Sequence, residues 1–506
     1  MPTKQDSNLT SLSIAEELSP KVLPVTPVWY LFEPNGYSDF GGDIKTISRN
    51  PINPLRQMQK GSVVDLEAAG GFGTDLVLGQ LTRLLQGFFF ADARQKPSTQ
   101  PYNGTQVPIT SATATTFTAA AGLGSFAAGD LILASGFSTP ANNGLKLLSA
   151  ATATVLTTTG LVAEASPPAA AKVERVGFQF GSGEVDITIS GGLPRLTRAS
   201  GTKDFTTFGL IPGEWVFVGG DLTAEKFTTA GNTGFARVRS IAATYIEFDK
   251  TSLAMSAETG TGKTIRLWFG TALRNEDTVA AIKARTYQLE RQLGNDGNGI
   301  MSEYVIGASA NELSIKLPTA DKVSVDLGFI GLDSEKRTGT QGIKGGTRAT
   351  LFTGGAVNTT SDFSRIKLAA VSTTDSAPTP LAGFYADVEL TLKNGIKPLK
   401  AIGVLGGFAT MAGNFEVEGK LNAYFSDIAA VQAVRDNADI TLDMAMVKSN
   451  RGMLLDIPLL SLGDGRLDVQ QDEPIMLPLT QMAAQSTFGH TLLMMDFPYL
   501  PNAADL

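Results

Sequence analysis

The sequence predicts a mainly β protein: one strand-rich sandwich fold with a single flanking helix, present twice, plus two small inserted β-sandwich or β-barrel modules. Three observations predict it. Only 18% of the 506 residues are charged, below the usual share of about 25%, and 54 glycines with abundant Thr, Ser and Val favour turns and strands. Two stretches with the same order of strands and turns recur about 154 residues apart. A shorter pattern repeats inside a long insertion that only the first copy carries.

In chain order, Gly71-Phe72 opens the first distinctive stretch, followed by LVLGQLTRLLQGFFF, where Leu78, Leu81, Leu84, Leu85 and Phe88 recur at helical spacing. Its counterpart is Gly413-Asn414-Phe415, followed by Ile428, Val431 and Val434 at the same spacing. After each helix the copies read strand, turn, strand, turn, strand. Asn298-Gly299 in one and Asn450 to Gly452 in the other mark the first turn. The second turn, at Asn311 or at Gly463 to Gly465, leads to alternating Leu313 and Ile315, or Leu467 and Val469.

Between helix and hairpin the first copy carries about 175 additional residues. Here FAAGDLILASG, an Asn-x-Gly hairpin and VGFQFG are followed in the same order by LIPGEWVFVGG, a second such hairpin and IRLWFG. The expected organisation is a first repeat at 1–96 and 277–335, module one at 97–200, module two at 201–276, connecting chain at 336–378, and a second repeat at 379–506. Joined through loops to one copy only, the insertion is expected to project as a separate lobe whose removal leaves assembly intact.

With no cysteine there is no disulfide framework, thiol nucleophile or thiolate metal site, and a single histidine, His490, excludes a multi-histidine centre. A net charge of −8 argues against a basic nucleic-acid surface. No signal-type apolar segment or run of about 18 apolar residues occurs, so a cytoplasmic beginning and no membrane are expected.

The most tempting motif, Ala257 to Thr264 with Gly262-Lys263-Thr264, fits a relaxed phosphate loop. Such a loop must open a helix, whereas IRLWFG alternates as a strand, so Lys263 reads as a turn residue. Asp464 and Asp296 sit in glycine-rich turns without the alternating carboxylates a calcium loop needs. His490 flanks an apolar strand and reads as a structural polar group. Glu416 and Glu418 lie two apart on one strand face; a glycosidase pair is conceivable, and a solvated polar face is the ordinary reading.

The run at 47–92, the run TYQLERQLGNDGNGIMSEYVIG at 286–307, and GNFEVEGKLNAYF with the closing FPYLP resemble siphophage major tail tube proteins. The likeness covers about 1–95 and 277–501 and leaves the insertion aside. It implies a structural virion protein, no enzyme and with no cofactor, that polymerises into stacked rings forming the hollow tail of a long-tailed bacteriophage. In that family six folds each lend four strands to a continuous barrel. About 24 strands at about 4.8 Å spacing and about 40° tilt give a backbone diameter of about 48 Å, wide enough for duplex DNA.

A duplicated chain then fills two of six positions, so the ring is expected to be a trimer with pseudo-sixfold symmetry. Implied partners are further copies, the tape measure, tail terminator and tail tip proteins, and double-stranded DNA that passes without specific binding. The implied location is the virion tail, with assembly in the host cytoplasm. Alternation on the strands at 388–393 and 415–420 turns Val388, Leu390, Phe415 and Val417 inward, which makes Asp387, Glu389, Glu416 and Glu418 the candidates for the lumen. The competing class is a β-modular virion-decorating or cell-surface adhesin, which needs an exposed binding surface rather than mutual strand pairing.

Overall fold

The computed structural model describes residues 5–49, 52, 59–95 and 106–505. The boundary read at 96/97 and part of the 47–92 run lie outside them. The chain is mainly β, and the duplication appears directly in the strand pairing. In the first repeat, β1 (Ser11–Glu16), β2 (Val28–Phe32), β3 (Gly36–Ile47) and β4 (Ser62–Asp75) precede helix α1 (Thr82–Phe89). After the insertion come β5 (Thr286–Asn295), β6 (Ile300–Leu317) and β7 (Ser324–Gly331). The second repeat has β8 (Phe363–Ala370), β9 (Tyr385–Lys393), β10 (Glu416–Tyr424), helix α2 (Ala429–Arg435), β11 (Ile440–Lys448), β12 (Arg451–Asp464) and β13 (Met476–Ala483), and β14 (Leu493–Phe497) follows.

Antiparallel pairing runs β1-β5-β6-β7-β4-β3 in the first repeat and β8-β11-β12-β13-β10-β9 in the second, the same order throughout. Even a bulge recurs: the register slips between Tyr287 and Leu289 in one copy and between Ile440 and Leu442 in the other. There β6 and β12 bend, so each long strand serves both sheets of its sandwich.

Both helices close the sandwich, but unequally. In α1 Leu84, Leu85 and Phe88 are buried, Leu81 caps the start, and Leu78 lies in the preceding turn. Phe88 meets Phe329 edge-on at 5.2 Å. Gly87 is required there, because a Cβ would stand 2.5 Å from the Tyr287 hydroxyl oxygen. In α2 only Ala430 is fully buried, and Ile428, the capping residue, is 60% exposed. Among the described residues no helix is long and apolar enough to cross a membrane.

The stretch 336–378, expected as connecting chain, is not all connection: it holds β8, which stands where β1 stands in the first repeat. The alternation that betrays other strands is weak here because Phe363, Ser364, Arg365 and Ile366 are all only half-buried.

In the insertion one nine-strand path crosses from Val185–Ser190 to Gly144–Leu147, so both modules share a sheet that continues past the 200/201 division. Each module closes on the same carboxylate clip. Glu164 accepts from Asn142 Nδ2 at 2.9 Å and from the N–H groups of Ser138 and Thr139. Glu258 accepts from Asn232 Nδ2 at 2.8 Å and from those of Thr228 and Thr229.

The expectation of a lobe joined only by loops is corrected by what lies beneath this sheet. Trp215, Phe217, Phe235 and Trp268 of the insertion form one buried cluster with Ala445, Leu454, Met495 and Phe497 of the second repeat. Beside them lies a buried charge network. Arg237 makes a bidentate pair with Asp249 (3.0 and 2.9 Å) and reaches Asp456 at 3.2 Å, while Lys250 pairs with Asp443 and donates to Thr441 Oγ1 at 3.0 Å. The insertion leaves the first repeat in sequence and docks on the second in space.

Candidate functional site: a charged sheet face spanning both repeats

One sheet of each repeat runs on into a sheet of the other. β6 pairs β7 on one side and β9 on the other, with Glu312 opposite Lys393 and Leu317 opposite Val388. The path β3-β4-β7-β6-β9-β10-β13-β12 is therefore an eight-stranded antiparallel sheet, four strands from each copy. One face is apolar: Leu313, Ile315, Val325, Leu327, Val388, Leu390, Leu392 and Val417 are buried in the common core.

The alternate residues line the other face. Asp387 and Glu416 are exposed and Glu389 and Glu418 half-buried, so the four predicted carboxylates stand together on adjacent strands, with Glu389 opposite Lys420 and Thr391 opposite Glu418. Phe415 is half-buried against the core. Lys393 Nζ donates to Glu418 at 2.8 Å, which raises the lysine above its ordinary range; Glu389 accepts from Ser314 Oγ at 3.1 Å, and Asp387 from Asn422 at 3.3 Å.

Sequence reasoning missed the first repeat's share of this face. Asp75, Glu312 and Asp326 extend it, with Lys316 bonded to Asp326 at 2.8 Å and Lys322 to Asp75 at 2.8 Å. The signal lies in the alternation Glu312-Leu-Ser-Ile-Lys316-Leu317, whose polar half marks this face as its apolar half, Leu313 and Ile315, marks the core. Among the described residues Asp75, Glu312 and Asp326 share the face with the four predicted carboxylates and with Lys316, Lys322, Lys393 and Lys420. A cleft of about 380 Å³, lined by Ser38, Glu312, Lys316, Asp326, Glu389 and Thr391, marks where the repeats meet.

The other sequence candidates lie elsewhere. Lys263 Nζ donates to the Thr223 carbonyl at 2.9 Å in a turn before the strand Arg266–Phe269, and Gly262 there has a φ of +75°. Burial pushes the Glu258 carboxyl up, but the N–H groups of Thr229 and Thr228 hold it down to about 2, so it serves the clip. Lys263→Ala is expected to change unfolding free energy by less than about 0.5 kcal/mol and to leave no difference in nucleotide titrations. Asp296 accepts from the Asn298 N–H at 2.9 Å and from Thr338 Oγ1 at 3.2 Å, and Asp464 adopts a left-handed φ of 65°.

His490 is fully buried where the insertion meets the second repeat, stacked on Phe488, with Arg274 donating toward Nδ1 at 3.4 Å. Burial, then the charges of Arg274 and Arg237, hold its pKa down to about 3. The folded chain stays neutral at this site while the unfolded chain protonates near pH 6.5. Stability is therefore level above about 6.5 and falls as pH drops toward 3, by about 2 kcal/mol between pH 7 and pH 5. Chemical unfolding across that range should show the loss, and His490→Gln should remove it.

The family model for phage tail tube protein matches residues 7–483. No curated protein matches the chain. The chain belongs to the phage tail tube protein family and is a structural component of a phage tail.

Proposed function

We propose that this tail tube protein closes, three chains at a time, into pseudo-sixfold rings that stack into the hollow tail of a long-tailed, siphophage-type bacteriophage and conduct its genome into the host. The observation that carries this reading is the eight-stranded inner sheet, to which the two repeats contribute equally and which ends on unpaired edges among the described residues. An open antiparallel edge is a liability that closure into a barrel removes. Three such sheets supply the strands of six folds, with the junction between the repeats as the pattern for the junction between subunits.

The charged face lines the channel in this reading. Its excess of carboxylates keeps phosphate at a distance, so duplex DNA slides without specific contact. The role is mechanical, without catalysis or cofactor. Assembly takes place in the host cytoplasm with the tape measure, terminator and tip proteins of the same phage. Electron microscopy of the purified protein tests it: tubes with three chains per ring support the reading, whereas six whole chains per ring, or a monomer that decorates cells as an adhesin does, overturns it.

A further inference from the structure

The two ends of the eight-stranded sheet are the two halves of the junction in its middle. Inside the chain, β9 lies on the second half of β6, with Leu317 opposite Val388, Lys316 opposite Glu389 and Ile315 opposite Leu390. The shared bulge fixes how the repeats correspond. Ala308 pairs with Tyr287 as Leu460 pairs with Ile440, and Ser309 with Ile330 as Ser461 with Met482. At the far end Asp468 bridges Met476 as Lys316 pairs Ser324. Ile315 and Leu317 therefore correspond to Leu467 and Val469, which corrects by two residues the match of Leu313 and Ile315 to them that alternation alone suggests. Through their hairpin partners, Val388 opposite Leu421 corresponds to Tyr37 opposite Phe72.

The burial of these residues differs in the way an absent neighbour predicts. Ile315 and Leu317 are 6% and 5% exposed beneath β9, while Leu467 and Val469 are 37% and 67% exposed. Across the sheet, the strand partner of β3 among the described residues is β4, and along the opposite edge of Gly36 to Asp43 the Phe40 carbonyl accepts from Arg291 at 3.2 Å without any strand pairing there. Tyr37 and Phe40, in contact at 5.5 Å, are half-buried beside it.

Resting on the tube reading, we infer that β3 of one chain pairs antiparallel with residues 463–469 of a second copy, in the register of the internal junction. Tyr37 stands opposite Val469 and Ser38 opposite Asp468, so that Tyr37 and Phe40 cover Val469 and Leu467. The contact is head-to-tail, with one donor edge and one acceptor edge per chain, and it closes into a ring when the rotation from repeat to repeat is a sixth of a turn.

The chain has no cysteine, so engineered pairs report without background. Directly opposed residues in an antiparallel pair have Cβ atoms about 4.5–5.5 Å apart, within small movement of disulfide geometry. Tyr37→Cys with Val469→Cys, and Ser38→Cys with Asp468→Cys on exposed positions, are oxidised in assembled full-length protein. Non-reducing gels should show chains linked into dimers and trimers and no longer, with none from single-cysteine variants. Ser38→Cys with Asp464→Cys, four residues out of register, should stay unlinked. In the unsubstituted chain, amides of 36–43 and 463–469 should gain hydrogen-exchange protection on assembly. Tubes with neither pair linked, with the control linked, or without that protection overturn the register and leave the tube reading standing. Absence of rings and tubes from the unsubstituted chain overturns both.

Discussion

An Arg237→Met variant should lose about 3–5 kcal/mol of stability, the cost of leaving a buried carboxylate without its partner. Arg237, Asp456, Lys250 and Asp443 are buried between the insertion and the second repeat. Burial is the largest influence on each. It pushes Lys250 down and Asp456 up, whereas Lys250 and Arg365 outweigh it at Asp443 and hold that carboxyl below its usual range. At Arg237 the neighbouring Asp456 and Asp249 overcome burial and hold the guanidinium charged. Deleting Arg237 leaves Asp456, fully buried, without its ion-pair partner. The double variant Arg237→Met with Asp456→Leu should recover most of the loss, since an apolar pair of similar size avoids the unpaired charge. Tryptophan fluorescence during chemical unfolding reports on this seam, because Trp215 and Trp268 lie in it. An unchanged midpoint for Arg237→Met would refute the role given to the network. Deletion of 97–275 is expected to remove the folded chain altogether rather than leave bare tubes, because it uncovers Leu454, Met495 and Phe497 together with two buried aspartates.

What the sequence disclosed and what it hid follow the range of the forces involved. Alternation is local, so Val388-Glu389-Leu390 and Val417-Glu418 declared their faces without a structure, and the turns at Asn298-Gly299 and Asn450 announced both hairpins. The junction of β6 with β9 joins residues about 75 positions apart through backbone hydrogen bonds, which carry little mark in side-chain identity. The docking of the insertion was hidden for the same reason. One signal was present: Asp443 and Asp456 interrupt the apolar runs LDMAMV and LLDIPLL. A carboxylate amid such a run is buried by its neighbours, and a buried charge must have a partner. The partner's identity, 219 residues away for Asp456, needed the fold.

Changing Asp387, Glu389, Glu416 and Glu418 together to lysine should leave assembly intact and slow DNA passage severely. Each substitution shifts the charge by two, so the four shift one chain's inner face by eight. The cost to the fold is small, because these side chains are exposed or half-buried on the wet side of the sheet. The half-buried, solvent-facing Lys393–Glu418 pair contributes no more than about 1 kcal/mol, and the core residues Val388, Leu390 and Val417 are untouched. The effect on DNA is large, because clustered ammonium groups displace the counterions of the duplex and hold phosphate with an affinity that falls steeply with salt. At physiological ionic strength the field reaches about 8 Å, so adhesion requires that the duplex come close to the wall. Two measurements check the expectation. Purified variant tubes should retain labelled duplex DNA at low salt and release it as salt rises, while unsubstituted tubes retain none. Particles carrying the variant should eject their genome more slowly. Tubes that form normally and eject at the unaltered rate would remove these four carboxylates from the channel wall and place the conducting surface on another face of the sandwich.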